Sequence, residues 1–263
     1  MEIFLPIFVF VMGLIVGSFA NVCIYRMPRN LSIIRPGSHC TGCNAPIAAM
    51  DNIPLFSFLI LGGKCRHCGH KIGWRYPLVE LTNTLLYLLA YLMVMRAPQN
   101  LPLLVVAAYL STVFLIIFFI DLDFRIIPDS LTLSGIVIGF LVSFIPGMPI
   151  KPVDSLIGLV AGGLLFLAIA EAGDRIFKKE SMGGGDIKLA AMLGAFLGWK
   201  NVLLLLVIAS LLGSIIGIAL LARAKNKESA RTIPFGPFLV VAGLVTFYWG
   251  PSIIASYLNL IGR

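Results

Sequence analysis

Eight apolar runs, at roughly residues 3–24, 78–95, 101–120, 131–149, 154–173, 187–198, 201–222 and 237–260, leave this chain few ways to fold. About 20 consecutive apolar residues cross a bilayer as a helix, because a helix satisfies its backbone polar groups internally. The chain is 59% hydrophobic and only 12% charged, whereas about 25% of an ordinary soluble domain is charged. The reading is an all-α polytopic membrane protein with about eight transmembrane helices. The sixth run is short for a full crossing, so it starts inside the protein or is tilted. No small-residue cleavage site follows the first run, which is read as a transmembrane helix rather than a removable signal.

The polar connections set the orientation. With the N-terminus outside, residues 26–76, 121–130, 174–186 and 223–236 share one side. With Lys188, that side carries sixteen of the twenty Lys and Arg residues; Arg96, Lys151, Lys200 and Arg263 are on the other. The positive-inside rule makes the first side cytoplasmic and leaves both termini outside. The net charge of +8 follows from this topology and from anionic lipid headgroups. No aromatic-plus-basic pattern of a nucleic-acid module is present, so the partner expected from charge is the lipid bilayer.

The long cytoplasmic segment contains CTGC and CRHC, with Cys40, Cys43, Cys65 and Cys68 as candidate ligands and 21 residues between the two knuckles. Each C-x2-C turn can place two thiolates on one ion, and two turns complete a tetrahedral S4 site for zinc. Gly42 and Gly69 are expected to supply the backbone freedom of the knuckles. Disulfides, a redox pair and an iron–sulfur cluster are the competing readings; a reducing cytoplasm disfavours structural disulfides. His39, His67 and His70 flank the knuckles and are expected to be bystanders, because four thiolates close the shell. A closed shell is structural, and a segment this small needs such a staple to fold. Cys23, inside the first run, reads as a small buried apolar residue.

Two carboxylates stand out. Asp121 lies at the cytoplasmic end of the third run, in DLDFRIIPD, and Asp186 follows three glycines at the mouth of the sixth. Asp121 could be a solvated terminal residue, Asp186 a helix cap, and Asp129 a cap for the fourth run, with Ser130 competing. A plain cap, however, has no need of Gly183, Gly184 and Gly185. These glycines let backbone pass close to another helix or to an extended peptide. Two carboxyls at matching depth suit an acid–base dyad that shares a proton: one activates water against a peptide carbonyl, the other protonates the leaving amine.

Over nearly its whole length the chain resembles the bacterial type IV prepilin peptidases, the prepilin leader peptidase/N-methyltransferases. The resemblance is carried by GSFANVCIYRMP at 17–28, the double C-x2-C with NIPLFSFLILGGKC, RYPLVE at 75–80, DLDFRIIPD at 121–129, GGGDIKL at 183–189 and PFGPFL at 234–239. The resemblance places the chain among the glycine-x-glycine-Asp intramembrane aspartic proteases. It implies catalytic roles for Asp121 and Asp186, with Gly183 and Gly185 as the motif glycines and Asp123 and Lys188 in support. It further implies cleavage of a basic leader from prepilins and pseudopilins, after a glycine, at the cytoplasmic face of the bacterial inner membrane. Methylation of the new N-terminus from S-adenosylmethionine is implied as well. Thr41 stands where many members have proline, a change that should not disturb metal binding.

The domain organisation expected is a first transmembrane helix at 1–25, a cytoplasmic zinc-binding segment at 26–76 and a transmembrane peptidase core at 77–263. The rival readings are a peptidase without methyltransferase activity, a zinc-dependent scaffold and a proton-coupled transporter. The last would want acids at the bilayer midplane, whereas the candidate acids cluster on one face and Glu171 is the only acid on a span's interior side of its loop. No glycine-rich dinucleotide loop marks a methyl-donor site. Glu80 is read either as a contact to the donor or as a packing residue, and oligomeric state has no signal.

Overall fold

The structure is a computed structural model that describes residues 4–95, 100–179, 181–223 and 234–262. Arg96, Arg263 and most of the 223–236 connection, all used in the orientation reading, lie outside the described residues. Among the described residues there are nine α-helices and no strand: α1 Phe4–Arg26, α2 Phe56–Ile60, α3 Arg75–Val94, α4 Leu101–Phe124, α5 Asp129–Val142, α6 Pro152–Phe177, α7 Gly184–Leu197, α8 Trp199–Arg223 and α9 Gly236–Ile261. All but α2 coincide with the eight apolar runs.

Six of them, α1, α3, α4, α6, α8 and α9, are long and apolar enough to cross a membrane. At 1.5 Å per residue they reach about 30–39 Å, against a hydrocarbon core of about 30 Å. The chain is a multi-pass membrane protein by this measure. On α8, Leu203, Val207, Leu211 and Ile215 form an exposed apolar stripe at i, i+4 spacing, the face a helix turns to lipid. The other two, α5 and α7, have 14 residues each, about 21 Å. The fourth run stops being helical at Val142, and a turn-rich stretch carries it to Ile150.

The chain divides into two compact units, residues 1–116 and 117–263, with the division inside α4. In the first, α1 packs along α3 through two small residues. A Cβ at Gly13 would stand 2.8 Å from Thr84 Cα, and one at Gly17 would stand 2.8 Å from Glu80 Cα. This is the small-xxx-small contact that lets helix backbones touch in lipid. Buried polar groups tie it down. Asn83 donates to the Gly13 carbonyl at 2.8 Å and accepts from Thr112 at 3.0 Å, and the Tyr87 hydroxyl meets Thr112 at 3.0 Å.

In the second unit α7 is the centre. Leu189 through Leu197 are all buried, so the helix is apolar all round and enclosed by protein. Its neighbours α5 and α6 approach it with glycines. Gly135 faces Met192, Gly139 faces Phe196, Gly158 lies on Gly194, and Gly162 lies on the Ala190 carbonyl. The Ser155 hydroxyl donates to the Ala195 carbonyl at 2.7 Å.

Adjacent glycines on α6 test this packing. A Cβ at Gly162 would run into the Ala190 carbonyl, whereas one at Gly163 would meet only the Ala191 methyl at 3.5 Å. Gly162→Ala should therefore lower stability by about 1–3 kcal/mol, and Gly163→Ala should leave it level or slightly raised. Thermal unfolding of the two variants in detergent micelles decides the matter; equal midpoints would contradict the packing described.

Candidate active site and metal centre

Asp121 sits three residues from the C-terminal limit of α4 and is buried, 5% exposed. The chain then leaves the helix through Arg125, at φ 56°, and starts α5 behind Pro128. Asp186 is in the first turn of α7, whose N-cap is Gly183 in extended backbone. Its amide donates to the Gly183 carbonyl at 3.1 Å. The helices α4 and α7 thus each bring one carboxyl to a shared place, where the two are near enough to interact as charges.

Two helix starts orient this pair. The Gly183 amide at the head of α7 is directed at the Asp186 carboxyl, and the Gly236 amide at the head of α9 is directed at that of Asp121. Helix N-termini favour anions for this reason. One buried oxygen on each side, Asp121 Oδ2 and Asp186 Oδ1, is left with no hydrogen-bond partner. Orphaned buried carboxylate oxygens are rare in folded proteins and point to a job done elsewhere than in the fold.

The glycines have distinct duties. None of the three at 183–185 needs a positive φ. A Cβ at Gly185 would lie 2.9 Å from Ile127 Cβ, one at Gly184 would meet nothing within 4 Å, and one at Gly183 would meet only Asp186 Oδ2, at 3.5 Å. Gly185 is therefore required by packing. Gly183 and Gly184, both exposed, keep the approach to Asp186 clear. Gly236 is the residue that sequence reading passed over: a Cβ there would stand 2.5 Å from Asp121 Oδ2 and 3.1 Å from Ile127 Cδ1. Its only signal was the Pro-Phe-Gly-Pro string that opens a helix with proline in the first turn.

The remaining acids stand apart. Asp123 is exposed. Lys188 grips Asp129 with both contacts at 2.7 Å. Asp129 is the first helical residue of α5, whose N-cap is Pro128 with no side-chain cap. The expected capping role for Asp129, or for Ser130, therefore gives way to an ion pair. Glu171 pairs with Arg175 on the exposed side of α6, at 3.1 Å.

The four cysteines converge in the first unit, their Sγ atoms all within 4.8 Å of one another. Cys40 and Cys68 are 3.8 Å apart, the spacing of about 3.8 Å that a tetrahedron with 2.3 Å metal–sulfur bonds requires. The knuckles repeat one another: Cys40 N–H bonds Ala45 O and Asn44 N–H bonds Cys40 O, as Cys65 N–H bonds His70 O and Gly69 N–H bonds Cys65 O, all at 2.9 Å. The left-handed residue after each second cysteine is Asn44, φ 57°, and Gly69, φ 70°. The expectation for Gly69 matches. For the first knuckle the turn residue is Asn44, not Gly42, and Gly42 is small because His70 packs over it, 2.7 Å from where its Cβ would be.

The amides of Gly42 and Cys43 hold the Cys40 thiol down at about 6. At Cys68 the His70 amide pulls the same way, but the crowding thiols of Cys43, Cys65 and Cys40 prevail and push it up to about 12. Four sulfurs this close repel one another as anions, and a divalent cation relieves that. The histidines stay outside the cluster.

The first unit also holds a cleft of about 230 Å³ beside the cysteines. Glu80 and Asn21 lie in its wall, both 7% exposed. Asp51 and Arg66 pair across its rim through a forked contact with N···O distances of 2.6–3.1 Å. That pairing holds the Asp51 carboxyl below its ordinary range.

The model of the bacterial peptidase A24 N-terminal domain matches residues 11–94, and that of the type IV leader peptidase family matches residues 108–218. The chain is similar to the prepilin leader peptidase/N-methyltransferase of Aeromonas salmonicida, 38% identical with 96% of this chain and 94% of that one covered. It is also similar to those of Pseudomonas aeruginosa, 36% identical with 95% and 92% covered, and Myxococcus xanthus, 42% identical with 86% and 66% covered. No solved structure matches the chain.

Proposed function

The chain belongs to the type IV leader peptidase family, and from that premise we propose that Asp121 and Asp186 form the acid–base pair with which it removes the leader from prepilins. The enzyme is a leader peptidase and N-methyltransferase: it cleaves the leader and methylates the N-terminus that the cut exposes. The observation that carries the aspartate assignment is the pair of orphaned, buried oxygens, Asp121 Oδ2 and Asp186 Oδ1, brought together by α4 and α7.

Chemistry follows from the arrangement. One carboxylate takes a proton from water as the oxygen attacks the scissile carbonyl. The other carboxyl, protonated, gives its proton to the leaving amine, so the pair ends with its protons exchanged and is ready to reset. Gly236 fixes where the Asp121 carboxyl lies, and Gly183 and Gly184 keep the entrance low enough for an extended peptide. Asp123 and Lys188 act in support, Lys188 by holding the head of α5 against α7 through Asp129.

The substrates are prepilins and pseudopilins cut after a glycine at the cytoplasmic face of the bacterial inner membrane. The bias of sixteen in twenty basic residues supports a cytoplasmic 26–76 segment, termini outside, and eight passes, with α5 and α7 as short members. Functionally the chain divides into a first helix at 1–25, a zinc segment at 26–76 and a peptidase core at 77–263. Zinc suits the four-thiolate set and its spacing, and in that closed shell it cross-links the segment without taking part in either reaction. S-adenosylmethionine, when bound, supplies the methyl group.

Replacing either carboxyl removes half of the pair. Asp121→Asn and Asp186→Asn should each lower leader cleavage by about a thousandfold or more, read as the mobility shift of a prepilin on gels, while the purified variant retains its zinc. Gly236→Ala, which displaces the Asp121 carboxyl, should fall between these and the parent. Ordinary processing by either Asn variant would falsify the dyad.

The metal assignment is tested apart from activity. Elemental analysis of the purified chain should find about one zinc per polypeptide, lost in Cys43→Ser and in Cys65→Ser and kept in His67→Ala. Retention of zinc by both serine variants would rule out the four-sulfur site.

A further inference from the structure

The cleft in the first unit has a wall that plain packing does not explain. Leu55 adopts φ 60°, ψ −51°, and the Phe56 amide bonds the Pro54 carbonyl at 2.7 Å across it. This is the γ-turn of the rare, strained kind, made here by a branched residue rather than glycine. The strain is held in place from below. The Leu55 amide donates to Glu80 Oε2 at 2.8 Å, and Glu80 comes from α3, buried, with the Ser18 hydroxyl of α1 beside it. Strain of this kind persists only where its surroundings enforce it, and it gathers at binding sites.

The lining matches one kind of ligand. Glu80 brings a buried carboxylate, and Arg26, 7% exposed, brings a buried guanidinium. Two of its nitrogens already hold the Ser32 and Gly37 carbonyls, at 2.9 and 3.2 Å, and its remaining N–H groups are further donors. Ile53 and Tyr76 also line the cleft. A buried anion, a buried cation and apolar and aromatic lining suit a molecule that is itself cationic, zwitterionic and aromatic. The volume is below the 300–1,000 Å³ or so of sites that enclose a drug-sized ligand. It takes part of such a molecule and leaves the rest at the mouth, among exposed Thr41 and Lys71, within reach of an acceptor.

We propose that this cleft, closed by the Glu80-braced turn at Leu55, is the binding site of the methyl donor, a sulfonium nucleoside carrying an amino acid, with Glu80 and Arg26 as its charged contacts. The inference rests on the N-methyltransferase reading above and adds the place and the residues. It also gives the zinc segment a purpose: the knuckles hold one rim of the cleft while α1 and α3 hold the other.

The test uses the full-length chain in detergent micelles and methyl-tritiated S-adenosylmethionine as probe. Equilibrium binding is measured for the parent and for Glu80→Gln, which keeps an acceptor for the Leu55 amide but removes the charge. Binding should weaken by about tenfold or more, with zinc content as the control for folding. If the variant loses zinc, photolabelling of the parent takes over: ultraviolet irradiation should place the label in peptides from residues 18–80. Undiminished binding by a zinc-loaded Glu80→Gln, or label recovered from residues 117–263, overturns the site and leaves the methyltransferase reading standing. A parent chain that neither binds the probe nor methylates a cleaved pilin peptide overturns both.

Discussion

A helix of 14 residues cannot satisfy a bilayer, and α7 is such a helix. Its length of about 21 Å leaves roughly 9 Å of hydrocarbon unmatched, so its surroundings have to be protein. The glycines of α5 and α6 serve this: by removing side chains from their facing surfaces they bring backbone onto the α7 barrel at distances that van der Waals contact alone can hold. Lipid offers no hydrophobic gain for helix association, and close approach is the force that remains. Once α7 is enclosed, its first turn lies at a fixed height, with Asp186 in it. The carboxyl is then positioned by the packing of residues 189–197 together with the Gly183 amide.

The same principle runs through the first unit with a different outcome. Gly13 and Gly17 draw α1 onto α3, and the contact presses the Glu80 backbone against α1. Glu80 is thereby aimed upward, to Leu55. The segment between α1 and α3 has little apolar interior of its own, and three fastenings organise it: four thiols, the Arg26 guanidinium on the Ser32 and Gly37 carbonyls, and the Glu80 carboxylate on the Leu55 amide. Two of the three are side chains of transmembrane helices. The segment is thus continuous with the helices below it, whatever its polarity suggests.

How much of this could be read in advance depended on the range of each signal. Helix positions were legible because period and length are local, and all eight apolar runs became helices. The cysteines were legible because a C-x2-C turn is a property of four residues. Asp121 and Asp186 could be proposed as a pair through topology, which puts both at one membrane face, and through the family resemblance, since 65 positions separate them and no local rule connects them. Gly42 was misjudged for a related reason: a glycine wanted for a distant histidine looks the same as one wanted for its torsion angle, and Asn44 could fill the left-handed position unannounced. Gly158 and the Leu55 turn were illegible outright, and Gly236 showed only within its Pro-Phe-Gly-Pro string. Each answers to a group from another element, and that group is not in the neighbouring sequence.

The carboxyl pair proposed for catalysis has a feature that bears on how it would work. Each member is met by the first amide of a helix, Asp186 by Gly183 ahead of α7 and Asp121 by Gly236 at the head of α9. Each keeps one buried oxygen free. Two carboxyls anchored in such similar ways would more readily exchange the roles of acid and base than a pair of which one is in an apolar pocket and the other in a polar one. A peptide hydrolase gains from that equality. In the proposed mechanism the proton taken from water stays on one carboxyl while the other gives its own to the amine, and a pair of matched groups would return to its starting state by passing a single proton between the free oxygens. The glycines at 183 and 236 are then more than thin places in the wall. They put equivalent helix starts against the two carboxyls, and a side chain at position 236 would spoil that equivalence by displacing Asp121.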